Sequence, residues 1–247
     1  MLTLHALTLF PDELSQFLCK GIIKRSHEKE LLKFCAHDLR NFGKGKHRKV
    51  DDYPFSDHKS MLLRADVIYD AITSINGYEK MTIMYVCPRG KQFNQAYSQK
   101  LFESNNDIIL ISGYYEGVDE RLFDMLPIQR ISIGDYIVNS GDCAVAVIAE
   151  SIIRQVPGVL GNKDCIYEDS YCKGLLEGPK YTQPVTLTND EVPSVLREGN
   201  HQAIARYTQK MALYTTLVNR PDLLGSYSCN KQQQDLITTL LNEMAET

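Results

Sequence analysis

Ile108-Ile109-Leu110-Ile111-Ser112-Gly113 opens the stretch, running to Gly161, whose reading decides the fold. A short apolar run stops abruptly at Ser-Gly, and the pattern returns: Arg130-Ile131-Ser132-Ile133 stops at Gly134-Asp135, and Tyr136-Ile137-Val138 stops at Asn139-Ser140-Gly141. Brief apolar runs bounded by glycine turns read as buried strands, and loops at the ends of such strands are where α/β proteins bind small molecules. Two charged residues, Arg154 and Asp169, follow closely, so the region reads as an enzyme site.

Working outward, Leu2 to Leu9 reads as a strand, and Pro11-Asp12-Glu13 places a proline and two acids in the first turn of a helix. Leu31 to Leu39 and Met81 to Val86 are further apolar runs, alternating with helical candidates near 58–75, 92–103, 117–126 and 142–155. That alternation predicts an α/β fold whose mostly parallel sheet is covered by helices. After Gly161 the pattern fails: Asn162 to Lys173 is polar, has no period and carries the turn signal Glu168-Asp169-Ser170. Beyond it, within Asn200 to Val218, Ile204, Tyr207, Met211, Leu213, Tyr214 and Leu217 give a spacing that suits a helix, and Gln232 to Met244 suggests a second. The expected organisation is a cofactor-binding α/β domain over 1–161, a linker over 162–175 and a small helical domain over 176–247.

The chain has 247 residues, 43% apolar and 23% charged, which is ordinary for a soluble globular protein. It has no apolar run long enough to cross a bilayer and its start lacks a secretory pattern, so a cytoplasmic protein without a membrane partner is expected. Seven cysteines without a Cys-x-x-Cys pair argue against a disulfide framework or a structural zinc site. The net charge of −4 does not point to nucleic acid, yet Arg40, Lys44, Lys46, His47, Arg48 and Lys49 crowd one segment. Such a cluster can contact phosphates on an acidic protein; the alternative is a solvated loop. A dinucleotide or P-loop reading is weak, because Phe10-Pro11-Asp12 fills the first turn and Gly43-Lys44-Gly45 runs into basic residues. Cys87-Pro88-Arg89-Gly90, Gly113 and Ser132-Ile133-Gly134 instead follow three separate strand candidates, so their backbones can line one pocket.

The wording of several segments is distinctive: Gly113-Tyr114-Tyr115-Glu116-Gly117-Val118-Asp119-Glu120-Arg121, Ser132-Ile133-Gly134-Asp135-Tyr136 and Pro157-Gly158-Val159-Leu160-Gly161. With Glu168-Asp169-Ser170-Tyr171, Pro179-Lys180-Tyr181-Thr182, Gly199-Asn200-His201 and Arg220-Pro221-Asp222-Leu223-Leu224, the chain closely resembles bacterial tRNA (guanine-N1)-methyltransferases of the SPOUT class. The resemblance covers nearly the whole chain in the family's order. It implies a deep trefoil knot, a homodimer, tRNA as partner and methyl transfer from S-adenosylmethionine to N1 of guanine 37. It assigns the cofactor to Pro88, Gly113, Tyr115, Glu116, Ile133, Gly134, Tyr136, Val138 and Gly141.

Guanine N1 carries a proton at neutral pH, so methylation is helped by a base near N1 and a cation near O6. The resemblance gives these roles to Asp169 and Arg154, and gives RNA contacts to Lys46, His47, Arg48, Lys49, Asp51, Asp52 and His201. Lys46, Arg48 and Lys49 suit phosphates, while Asp51 and Asp52 can accept hydrogen bonds from guanine N1 or N2. A magnesium ion is also implied, with no ligand set legible. A SPOUT enzyme acting on another RNA nucleotide, or an inactive RNA-binding relative, are the alternative readings.

The chain departs from the family's pattern at four places. Pro54-Phe55-Ser56-Asp57-His58-Lys59-Ser60-Met61 replaces a run of glycines, Tyr114 and Gln183 stand where arginines are expected, and Asn139-Ser140-Gly141-Asp142 replaces Ser-Gly-Gly-Glu. Each missing arginine is expected to remove a phosphate fork.

Overall fold

The computed structural model describes residues 1–55, 60–160, 169–225 and 227–245. They fall into two compact units divided between Lys163 and Asp164. The 56–60 loop, save Ser60, and the first part of the expected linker, 162–168, lie outside the described residues.

The N-terminal unit is built on β1 (Leu2–Thr8), β2 (Leu32–Asp38), a short pair β3 (Asp51–Asp52) and β4 (Leu62–Leu63), β5 (Thr82–Gln92), β6 (Ile108–Ile111) and β7 (Gln129–Ser132). Its helices are α1 (Pro11–Leu18), α2 (Gly21–Glu28), α3 (Ala65–Thr73), α4 (Gln95–Glu103), α5 (Leu122–Met125) and α6 (Gly141–Ile153). The main sheet runs β2-β1-β6-β5-β7, and every neighbouring pair is parallel. Strand alternation sorts the core into two layers. Leu4, Ala6, Met84, Val86, Ile108, Leu110 and Ile131 pack with residues of α1 and α6, while Leu7, Ile83, Tyr85, Ile109 and Ile111 pack with residues of α3. With both faces covered, β6 reads Ile-Ile-Leu-Ile and is buried at every position.

The expected order of strands and helices holds, with differences at the loops. β5 does not stop at Val86: it pairs with β7 through Val86, bulges, and resumes pairing at Lys91 opposite the same Ile131. Cys87-Pro88-Arg89-Gly90 is therefore a bulge within a strand rather than a loop after one. Gly90 is required there because a Cβ would lie 2.2 Å from the Ile131 amide nitrogen. Tyr136-Ile137-Val138 is not a strand; the three side chains are exposed, in an irregular segment leading to α6. The candidate helix 117–126 shrinks to α5 because Val118 bridges to Leu63 and Asp119 donates its amide to the Leu63 carbonyl. Likewise 58–75 reduces to α3, its forepart being taken by β4.

The C-terminal unit holds a small hairpin, Thr186–Leu187 with Asp190–Glu191, and helices at Ser194–Arg197, His201–Asn219, Pro221–Leu224 and Lys231–Ala245. Asn200 caps the longest, its side-chain oxygen accepting from the Ala203 amide at 3.2 Å. Among the described residues its fully buried apolar side chains are Leu213 and Leu240, so polar anchors matter. Buried Thr216 accepts from the Leu176 amide at 2.9 Å, and Gln233 donates to the Tyr227 hydroxyl at 3.0 Å.

Candidate active site

Around the bulge of β5 and at the carboxyl ends of β6 and β7 a cleft of about 270 Å³ opens between three backbone segments. The 87–90 bulge forms one wall, the 113–117 turn a second, and the 132–141 segment with the start of α6 the third. All nine residues expected to hold a cofactor, Pro88, Gly113, Tyr115, Glu116, Ile133, Gly134, Tyr136, Val138 and Gly141, line this one cleft. The walls are close because glycine permits it: Gly141 donates its amide to the Gly113 carbonyl at 2.8 Å, and a Cβ on Gly141 would sit 2.4 Å from the Gly113 nitrogen. Tyr115 adopts φ +56°, a left-handed conformation costing a side-chain-bearing residue about 1–2 kcal/mol, with its ring exposed at the cleft.

Side chains brace the walls. Glu120 pairs with Arg89 of the bulge at 3.1 Å and with Arg130 of β7, whose guanidinium lies 3.7 Å over the Phe123 ring. Glu116 and Asp119 donate their amides to Met61 and Leu63, tying the 113–119 segment to β4. Burial, then the neighbouring Cys87, pushes the Tyr85 phenol up to about 12, so it stays protonated beneath Gly113. Tyr114 is 7% exposed and turns inward to Thr8 and Asp142. The residue also borders the cleft, alongside Gly113 and Tyr115.

The other expected residues are spread. Lys46, His47, Arg48 and Lys49 are exposed on a hairpin closed by the Lys44–Lys49 bridge, and Lys44 itself pairs with Asp70. Asp51 and Asp52, adjacent in β3, diverge. Asp51 neighbours the Tyr115 phenol, which burial first and this carboxylate second hold above its ordinary range. Asp52 lies 3.5 Å from Arg64 and lines a separate hollow of about 960 Å³ with Tyr53, Phe55, Asp66 and Arg121. That hollow is larger, and its walls mix charged side chains such as Arg64, Asp66 and Arg121 with apolar ones such as Leu62, Leu63 and Met125. His201 is exposed at the first turn of the helix His201–Asn219.

Arg154 is not brought to the cleft. It caps the C-terminal end of α6, whose opposite end, Gly141 and Ala144, lines the cleft. Thirteen helical residues separate the ends, about 20 Å at 1.5 Å each. Asp169 belongs to the C-terminal unit, where the expected linker, as far as it is described, is folded. Tyr171 donates its amide to the Leu175 carbonyl at 2.7 Å, Glu177 its amide to the Ser170 hydroxyl at 3.0 Å, and Arg220 lies over the Tyr171 ring at 6.0 Å.

A family model described as tRNA (Guanine-1)-methyltransferase TrmD matches residues 2–226. The chain belongs to this family. A protein of Shouchella clausii named tRNA (guanine-N(1)-)-methyltransferase is 38% identical over 97% of this chain and 98% of its own. Proteins bearing the same name are 39% identical in Geobacillus kaustophilus, over 92% of this chain and 93% of theirs, and 37% identical in Dictyoglomus turgidum, over 100% and 99%.

Family membership and geometry together expose what sequence reading overlooked. Tyr85, Ile137 and Ala144 also line the cleft, yet in sequence each reads as an ordinary core residue of a strand or helix. Thr8 and Asp142, 134 positions apart, meet behind it at 2.8 Å. No local signal announces such a pair. Among the described residues no group of three or more His, Cys, Asp or Glu side chains is placed to hold a metal ion, so magnesium has no ligand set there. None of their helices is long and apolar enough to cross a membrane.

Proposed function

We propose that the protein transfers a methyl group from S-adenosylmethionine to N1 of guanine 37 in tRNA. The observation that carries this reading is the convergence of three main-chain segments on one cleft in a chain of the TrmD family. The cleft fits such a molecule. Its walls are main chain at Gly113, Gly134 and Gly141, and the exposed carboxylate of Glu116 suits a cationic sulfonium or ammonium group. Pro88, Gly113, Tyr115, Glu116, Ile133, Gly134, Tyr136, Val138 and Gly141 would hold it. When bound, S-adenosylmethionine supplies an electrophilic methyl.

The chain's own residues do the remaining work. Asp169 takes the N1 proton, and Arg154 offsets the negative charge that develops on the purine. Lys46, His47, Arg48, Lys49 and His201 contact the RNA backbone, and the segment 176–247 acts as a tRNA-binding domain. Asp51, beside Tyr115, accepts from guanine N1 or N2, and Asp52 contacts the RNA from the wider hollow. The position of Arg154 supports a homodimer: about 20 Å of helix keeps it from its own cleft, so it serves the cleft of a second copy. A trefoil knot and a cytoplasmic location complete the proposal.

The test incubates the protein with labelled methyl donor and unmodified tRNA carrying guanine at 36 and 37, followed by nucleoside analysis. Asp169→Ala is expected to slow formation of 1-methylguanosine by about 10²–10⁴, the usual contribution of a general base. A full-rate variant removes Asp169 from the mechanism, and label on another base overturns the substrate assignment.

A further inference from the structure

We propose that Tyr114, Thr8 and Asp142 form a positioning device that sets the separation of the 113–117 and 139–141 walls of the cofactor cleft. It rests on the reading that this cleft binds S-adenosylmethionine. Two of the four departures from the family's pattern, tyrosine for arginine at 114 and aspartate for glutamate at 142, touch each other in space. They are one paired exchange rather than two independent losses.

The cluster joins three distant segments. Thr8 ends β1, Tyr114 follows β6 and Asp142 lies in the first turn of α6. The Tyr114 hydroxyl donates to one carboxylate oxygen of Asp142, and the fully buried Thr8 hydroxyl donates to the other at 2.8 Å. The two hydroxyl oxygens are 2.7 Å apart, and the Leu9 amide donates to the phenol at 3.3 Å. Asp142 is held in turn by Ser140, whose hydroxyl accepts from the Asp142 amide at 3.1 Å, and its carboxylate stands where the dipole of α6 favours negative charge. Burial and the Asp142 bond raise the Tyr114 phenol above its ordinary range, keeping it a donor.

The geometry explains why this cluster governs the cleft. Gly113 and Tyr115 flank Tyr114, and Gly141 precedes Asp142; Tyr114 and these three neighbours all line the cleft. The main-chain bond from Gly141 to Gly113 at 2.8 Å and the side-chain cluster tie the same two segments at consecutive residues. Removing the side-chain tie leaves one bond to fix the spacing. None of the three hydroxyl or carboxylate groups needs to touch the reacting atoms.

The test compares full-length wild type, Tyr114→Phe, Asp142→Asn, Thr8→Val and the Tyr114→Phe/Asp142→Asn double variant. Calorimetry gives the dissociation constant for S-adenosylmethionine, steady-state assays give KM and kcat, and melts report stability. Each single variant is expected to weaken cofactor binding about tenfold, as for loss of a hydrogen bond to a charged group. KM for the cofactor should rise with it while kcat changes less than about threefold, and the double variant should be no worse than about threefold beyond a single, because the groups act as one. Wild type that fails to bind S-adenosylmethionine refutes the cofactor reading itself. Wild type that binds, with variants that bind equally well or lose only melting temperature, overturns the positioning role alone. Thr8→Val keeps the phenol and carboxylate, so it decides the matter if either of the other singles fails to fold.

Discussion

Replacing Gly141 by alanine isolates the close approach of the two cleft walls. The glycine does not adopt a left-handed backbone, so alanine can take its conformation and, as a better helix former, gains about 0.5–1 kcal/mol at the first position of α6. Against that gain, the new methyl would lie 2.4 Å from the Gly113 nitrogen, 2.8 Å from its carbonyl oxygen and 2.9 Å from the Ser112 hydroxyl. Comfortable contacts between non-bonded heavy atoms are about 3.5–4.0 Å, so one backbone must retreat by about 1 Å. Overpacking of this kind costs about 1–3 kcal/mol, and stretching the 2.8 Å bond from Gly141 to Gly113 forfeits about 1 kcal/mol more. The net loss is about 1–3 kcal/mol, which at about 2–4 °C per kcal/mol lowers the melting temperature by roughly 2–12 °C. Affinity for S-adenosylmethionine should fall about tenfold or more, since Gly113 and Gly141 both line the cleft. Urea unfolding followed by circular dichroism and calorimetric titration measure the two effects. A variant with wild-type midpoint and wild-type affinity would refute the claim that this contact holds the walls together.

A second prediction concerns pH. His5 and His37 stack at 5.1 Å on neighbouring strands with ring nitrogens 2.9 Å apart. Burial lowers both below the ordinary value of 6.5; at His5 the His37 and Lys33 charges add to the lowering and Asp107 opposes it. A folded-state value below the unfolded one means the unfolded chain binds more protons, so stability is full above about pH 6.5 and is lost as pH falls beneath it. Melts between about pH 5 and pH 8 should show that decline, and His37→Gln should flatten it; an equal slope in the variant would dismiss the pair as its source. Third, the Lys46→Ala/Arg48→Ala/Lys49→Ala variant should bind tRNA more weakly, with a salt-dependence slope smaller by about two, at roughly 0.7–0.9 per phosphate contact. An unchanged slope would return the hairpin to the status of a solvated loop.

The sheet was legible because buried parallel strands advertise themselves: Ile108–Ile111 is apolar at every position for the same reason that both its faces are covered. The cleft loops were legible through their glycine turns and their family wording. What escaped depends on pairing at a distance. Pro88 and Gly90 look like a strand end, and only the return of Lys91 to Ile131 makes them a bulge. Tyr136-Ile137-Val138 has the composition of a strand, but three apolar residues do not say whether they face a core or a cleft. Neighbours in sequence also parted company, since strand alternation turns Asp51 toward Tyr115 and Asp52 toward Arg64. Tyr114 could be seen to differ from its family yet not to face Asp142.

The placement of Arg154 gives the proposed chemistry its shape. One helix carries both a cleft wall and the proposed cation, at opposite ends, so neither can move independently along its axis. In the proposed homodimer, closed two-fold symmetry would relate such ends: what one copy presents to its partner it receives in return. Asp169 adds a second requirement, because it is carried by the turn 169–176, which is fastened to the helix His201–Asn219 through Thr216. A base must come within hydrogen-bond reach of its proton, so under the proposed mechanism the turn that carries Asp169 has to reach N1 before the proton leaves. In that mechanism the step is assigned to binding of the tRNA. On that reading, an RNA that engages the C-terminal unit poorly is expected to lose rate at the chemical step as well as affinity.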